Sequence, residues 1–206
     1  MTGARSGAVL RVEPSAPDPG ALARAAAVLR AGGVVAFPTE TFYGLGAAAL
    51  DRAAVRRVFA LKGRPEARPV LLLVDSLAMA EGVAHVTDAA RDLARRHWPG
   101  ALTLVLAARA PVPAEVTAGT GTVGVRISSH PIARALPTAL GAPVTAPSAN
   151  PAGGAPPTTA AAVVAYFGGG LDLVLDGGAT AGGEPSTILD LTVEPPRVLR
   201  QGAVRL

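Results

Sequence analysis

Lys62 is the only lysine in the chain; the other 18 of its 19 Lys and Arg residues are arginine. It stands in "FALKGRPEARPV", two residues before Arg64 and six before Arg68. An ammonium is a compact point charge and a guanidinium is a planar fork, so arginine does not replace lysine where a single point must be met. Either this lysine is a chance survivor of a composition that favours arginine, or its chemistry is needed here. Asn150, in "APSANPAGG", is likewise the only asparagine. An Asn in a Pro/Gly loop is ordinarily a turn former, but turns elsewhere in this chain use Gly, Pro and Asp. Three more polar clusters sit beside apolar runs: "FPTETFYGLG" (37–46), "TGTVGVRIS" (120–128) and "EPSTILD" (184–190). Arg126, in the second of these, either lies exposed on a sheet face or grips a carboxylate or phosphate bidentately. Together the clusters supply cations, hydroxyls, one amide and Gly-rich backbone, but no pair of acids at an obvious spacing. That set suits the holding of anions and the stabilisation of a charged transition state better than general acid/base work. Phosphoryl or nucleotidyl transfer is the chemistry it fits, because there the protein mostly positions groups and neutralises charge.

These clusters need elements to hold them. "DPGALARAAAVLRAGG" (18–33) predicts a helix closed by Gly32 or Gly33, and "VVAF" (34–37) a buried strand. "PTETFYGLG" (38–46), with Pro, two Gly and three hydroxyls, predicts a loop. Asp51 caps a helix that ends near Lys62 and Gly63. "PVLLLV" predicts a strand, and "TDAARDLARRHW" (87–98) a helix begun by Thr87. Strands follow at 102–107, 123–127 and 143–146. A short helix, "HPIARALPTAL", lies between the last two, and Pro137 is expected to bend it or end it early. A helix at 157–167 stops at "GGG" (168–170), and strands at 171–176, 186–192 and 197–200 complete the series. Strands and helices alternate, with strand-to-strand connections near the end. This predicts an α/β fold: a single domain over 1–206, its core from about residue 20, on a twisted mixed parallel/antiparallel sheet with flanking helices.

Composition excludes several classes. With no cysteine among 206 residues, disulfides, thiolate metal sites and a cysteine nucleophile are ruled out. The three His (85, 97 and 130) have no metal-ligand spacing, and His97 reads as a helix C-terminal residue that packs or meets the dipole. The P-loop, G-x-G-x-x-G and H-E-x-x-H signatures are missing. The longest aliphatic run, "VLLLV", is too short to span a membrane. The N-terminus lacks the pattern of a signal peptide, so a cytoplasmic location is expected. Net charge is +4, which permits a nucleotide or RNA partner without demanding one. Runs of five basic residues are absent and aromatics make up 3%, little for a dedicated RNA-binding module.

In order along the chain, "FPTETFYGLG", "LKGRP", "WPGALTLVL", "VTAGTGTVGVRI", "APSAN", "EPSTILD" and "VLRQGAV" resemble the YrdC-type threonylcarbamoyl-AMP synthases. The resemblance runs from about residue 20 to the C-terminus. It implies a YrdC-like fold and a nucleotidyltransferase that makes L-threonylcarbamoyl-AMP and pyrophosphate from L-threonine, bicarbonate or CO2, and ATP. The product would feed threonylcarbamoyladenosine modification of tRNA beside the anticodon. Mg2+ is expected to arrive with ATP, with no protein metal site and no tightly bound cofactor. The family's Lys-x-Arg and Ser-x-Asn signatures fall on Lys62, Arg64, Ser148 and Asn150, which the resemblance makes the catalytic set. By similarity Thr41, Arg126, Ala146 and Ser186 would meet threonine, Arg126 taking its carboxylate. Arg64, Arg68, Thr122, Ser148 and Arg200 would hold the nucleotide. The implied partner is a downstream tRNA threonylcarbamoyl transferase machinery; direct contact with tRNA stays open. Leu73 departs from the family pattern where His is frequent, and Pro156 stands where a nucleotide-contacting Ser can occur. The alternative from another class is a non-catalytic RNA-binding or ribosome-assembly protein that uses a basic face.

Overall fold

The computed structural model describes residues 7–63 and 69–206; Arg64 and Arg68 lie outside the described residues. The strands are β1 (Ala8–Arg11), β2 (Val35–Pro38), β3 (Tyr43–Gly46), β4 (Leu72–Leu73), β5 (Leu102–Ala107), β6 (Thr122–Arg126), β7 (Val144–Thr145), β8 (Leu173–Asp176), β9 (Thr187–Asp190) and β10 (Arg197–Arg200). The helices are α1 (Pro19–Arg30), α2 (Arg52–Lys62), α3 (Leu77–Val83), α4 (Asp88–His97), α5 (Ala114–Thr117), α6 (Pro131–Leu140) and α7 (Ala160–Phe167). The expected α/β class with mixed pairing holds. The strands form two ladders, β1-β8-β2-β3 and β10-β9-β5-β6-β4-β7, each with parallel and antiparallel pairs.

The ladders meet where β3 runs beside β7 and the segment after it. Isolated bridges pair Gly44 with Ser148 and Ala48 with Val144. The amide of Thr145 donates to Ala47, and its hydroxyl accepts from the Ala47 amide and donates to the Leu45 carbonyl. Thr145 is fully buried, and its side chain satisfies two backbone groups that lie across the junction.

The structure corrects the expected loop at 38–46. Its second half is strand β3, antiparallel to β2, after a turn in which the Thr39 amide and hydroxyl both donate to the Phe42 carbonyl. Of the two glycines that suggested a loop, Gly46 serves close packing instead. A Cβ on Gly46 would stand 2.8 Å from the Phe37 ring and 2.9 Å from Val144. Of the two effects expected of Pro137, the early end of the helix is corrected. Helix α6 runs through it to Leu140 and closes on Gly141 at φ 77°, because Ile132, Leu136 and Leu140 share an apolar cluster with Leu29 of α1. The elements β1, α3 and α5 were not predicted; each has seven residues or fewer. Caps at Asp18, Asp51, Thr87 and Thr159 hold α1, α2, α4 and α7, each side chain accepting from an amide in the first turn.

The six-stranded ladder explains where a site can form. Leu102, Leu104 and Leu106 of β5, Val123 and Val125 of β6 and Leu189 of β9 enter one cluster with Val55 and Phe59 of α2 and Ala90 and Ala94 of α4. The alternate residues, Thr103, Val105, Thr122, Gly124, Arg126, Ile188 and Asp190, line a cavity on the other face. The period of two along each strand thus separates core from site.

Candidate active site

The cavity has a volume of about 740 Å³. Its floor is the face of β5, β6 and β9 just described. Its walls come from the β2–β3 turn (Thr39, Thr41, Phe42), the segment after β7 (Ala146, Pro147, Ser148), Pro156, and the approach to β9 (Gly183, Pro185, Ser186). Along β6 the cavity residues are Thr122, Gly124 and Arg126. A hydroxyl therefore stands at one end and a guanidinium at the other, with a position free of side chain between them.

Arg126 is 3% exposed. Its Nη1 donates to Glu40 Oε1 at 2.6 Å, and the Ser128 hydroxyl donates to the other oxygen of the same carboxylate. Nε of Arg126 is buried and meets no protein acceptor among the described residues. Burial pushes the guanidinium pKa down, and the adjacent Glu40 opposes that shift. His130, just beyond Ser128, is also lowered by burial, with Glu40 again opposing, and its buried Nδ1 meets no partner among the described residues.

A second polar group forms where β10 closes on β9. Arg200 donates through Nε to the Ser186 carbonyl at 2.9 Å and through Nη2 to the Ser186 hydroxyl at 3.0 Å. That hydroxyl lies 3.1 Å from the Thr103 hydroxyl. The pKa of Arg200 is lowered by burial and further by the charge of Arg126, so two guanidinium groups share one side of the cavity. Asp190 lines the same floor. Burial raises its pKa, but the Thr192 hydroxyl and amide and Arg197 outweigh that and hold it below the ordinary carboxylate value. At the rim the Thr120 and Thr122 hydroxyls lie 2.9 Å apart.

Thr41, Thr122, Arg126, Ala146, Ser148, Ser186 and Arg200, all singled out in the sequence, come together on this one cavity. Two others stand behind its wall. Lys62, at the last turn of α2 and 6% exposed, donates from Nζ to the carbonyls of Ser148 at 2.5 Å and Asn150 at 2.6 Å. Asn150 spends Nδ2 on the carbonyls of Pro151 and Gly154, and its buried Oδ1 meets no partner among the described residues. Lys62 and Asn150 thus shape the 148–154 loop whose Ser148 faces the cavity. Leu73 points away from the site into the cluster with Ile132 and Leu136, whereas Pro156 is part of the wall.

The sequence reading passed over Glu40, Thr103, Ser128, Gly124 and Asp190. Thr103 had a legible signal, a lone hydroxyl alternating with leucines in "LTLVL". Glu40 had none beyond its place between two threonines, because its partner Arg126 is 86 residues away.

The Sua5/YciO/YrdC family model, described as telomere recombination, matches residues 27–202. The chain belongs to this family. It is 46% identical to the threonylcarbamoyl-AMP synthase of Pyrococcus abyssi over 88% of its own length and 54% of that protein's. It is 41% identical to the threonylcarbamoyl-AMP synthase of Bacillus subtilis, over 93% of its own length and 56% of that protein's. The chain therefore spans a little over half the length of these curated relatives. The crystal structure of P. abyssi Sua5 complexed with L-threonine superposes with a TM-score of 0.91 at 43% identity, covering 94% of this chain and 57% of that one. Shared architecture with the Sua5/YciO/YrdC proteins agrees with the α/β class and mixed pairing described above. Among the described residues, no helix is long and apolar enough to cross a membrane.

Proposed function

We propose that the cavity makes L-threonylcarbamoyl-AMP from L-threonine, bicarbonate or CO2, and ATP. The observation that carries this reading is Arg126, a buried guanidinium with spare donors on the floor of a cavity large enough for an amino acid and a nucleotide together. Threonine's carboxylate pairs with Arg126, and the hydroxyls of Thr41 and Ser186 and the backbone at Ala146 lie along the same substrate. The amine adds to CO2 and loses a proton, giving a carbamate. A carbamate oxygen then attacks the α-phosphorus of ATP, the bond to the β-phosphate oxygen breaks, and pyrophosphate leaves. Negative charge accumulates on the departing phosphates, which is where fixed cations contribute most. Arg200, Thr122 and Ser148 hold the nucleotide, and Arg64 and Arg68 add guanidinium groups. Lys62 and Asn150 complete the catalytic set through the 148–154 loop they shape.

Mg2+ enters with the phosphates of ATP. Among the described residues no three His, Asp or Glu gather into a cage, and the cavity's Asp190 already accepts from Thr192. This fits an ion carried by phosphate and water, as Mg2+ often is. When bound, the ion supplies charge neutralisation on the phosphates. The adenylate passes to a transferase that acts on tRNA, in the cytoplasm.

The test is pyrophosphate release by purified protein with ATP and Mg2+, omitting threonine and bicarbonate in turn, with Arg126→Ala and Lys62→Ala in parallel. Release that needs both substrates and falls at least about 100-fold in both variants supports the reading. A folded protein that releases no pyrophosphate, or releases it without threonine, overturns it.

A further inference from the structure

Arg126 reaches the cavity at the end of β6, yet its orientation is not decided by β6 alone. An arginine side chain has many rotamers, and holding one of them costs entropy unless other groups fix it. Here Glu40, from the β2–β3 turn, is the acceptor that Arg126 meets among the described residues. Glu40 is itself held from the far side by the Ser128 hydroxyl, two residues after Arg126. The Ser128 hydroxyl in turn accepts from the amide of His130 at 3.2 Å. A chain of bonds thus runs from the backbone at His130 through Ser128 and Glu40 to one nitrogen of the guanidinium.

Two consequences follow. Nη1 is committed to Glu40, so the remaining donors, including the unpartnered Nε, are presented in one arrangement. The charge is balanced as well: Glu40 is the counter-ion of Arg126 in a site whose burial lowers the guanidinium pKa.

We propose that Glu40 is a positioning residue: it holds Arg126, through the Ser128–Glu40–Arg126 relay, in the pose that takes the carboxylate of the amino-acid substrate. This rests on the reading above that the cavity accepts threonine. Glu40 does not line the cavity and both its oxygens are occupied, so its effect passes through Arg126. The effect must therefore be selective. Affinity for threonine depends on the relay and affinity for ATP does not.

The experiment measures threonine binding by calorimetry, and KM for threonine and for ATP by pyrophosphate release, in wild type, Glu40→Gln, Glu40→Ala and Ser128→Ala. Losing a charge-assisted bond of this kind corresponds to about 10- to 100-fold in affinity. The expected result is a threonine KM and Kd raised by about that factor in Glu40→Ala and less in Glu40→Gln, which keeps an acceptor. Ser128→Ala, which leaves the ion pair intact, shifts them in the same direction by a smaller factor. The ATP KM stays within about twofold throughout. If Glu40→Ala and Ser128→Ala bind threonine as wild type does, the proposal is overturned. It is also overturned if both KM values rise together, which is the mark of a general structural role. A wild-type protein that binds no threonine overturns the functional reading itself, a result separate from either.

Discussion

The chain's one lysine and its one asparagine touch: Nζ of Lys62 donates to the backbone carbonyl of Asn150 at 2.6 Å. The same ammonium takes the carbonyl of Ser148, so one cation draws together both ends of the Ser-x-Asn segment. Two carbonyls converging on a point suit a tetrahedral ammonium and do not suit a planar guanidinium. Lys62→Arg is therefore expected to fail as a replacement. Both Lys62→Arg and Lys62→Ala should lose most pyrophosphate release. Lys62→Ala should also be less stable by about 3–6 kcal/mol, since two hydrogen bonds from a charged donor are lost and each is worth about 1.5–3 kcal/mol. Urea unfolding beside the activity assay checks this. A Lys62→Arg protein with wild-type rate and midpoint would refute it.

Gly124 occupies the floor between Thr122 and Arg126. A Cβ there would meet the buried Thr103 methyl at 3.3 Å, tighter than most such contacts, so Thr103 must give by a few tenths of an ångström, while the backbone itself does not require glycine. Gly124→Val should still fold, with a lowered Tm, while its two methyl groups fill the space between the two ends of the substrate pair. Pyrophosphate release is expected to fall more than about 10-fold. Retained activity with retained stability would show that the reacting groups lie elsewhere.

Glu115, at the start of α5, accepts from Arg52 at 3.1 Å and from Arg56 at 2.6 Å. The Arg52 bond, then the backbone and the Arg56 bond, against the opposing effect of burial, hold its pKa down to about 2. A carboxyl whose folded pKa lies below its unfolded value near 4.3 adds stability above that unfolded value and loses it as pH falls toward the folded one. Glu115→Gln should therefore be less stable than wild type at pH 7. The gap should narrow below about pH 4.5 and close near pH 2. Urea midpoints of both proteins across pH 2–7 test this; a gap independent of pH would assign the effect to packing.

Thr145 joins the ladders through a side chain that satisfies the Ala47 amide and the Leu45 carbonyl. Thr145→Val keeps the shape and removes both bonds. Buried groups left unpaired cost ~1–3 kcal/mol each, so a clear loss of stability is expected. Activity per folded molecule should change little, because Thr145 does not line the cavity. A loss of rate without a loss of stability would mean that the junction governs the site rather than the fold.

Much was legible in the sequence alone. Asp51 and Thr87 announced the starts of α2 and α4, Gly32 or Gly33 the end of α1, and the apolar runs at 102–107 and 123–127 two strands, because caps and local pattern are properties of a short stretch of chain. The clusters around Thr41, Arg126, Ser148 and Ser186 were visible as polar loops and strand ends, and all four now line one cavity. The β3 strand was misread because Gly46 answers to Phe37 and Val144, neighbours that local pattern does not reveal. Pro137 does not end its helix early, because tertiary packing of α6 on α1 outweighs a local preference. The pairing of Glu40 with Arg126, of Lys62 with two carbonyls nearly ninety residues on, and of Ser186 with Arg200 and Thr103 came only with the fold. Residue type and local period determine which side chains can carry charge and which face of a strand they take. Which charges meet depends on how the ladders join, and that is set by burial and backbone pairing between segments far apart along the chain.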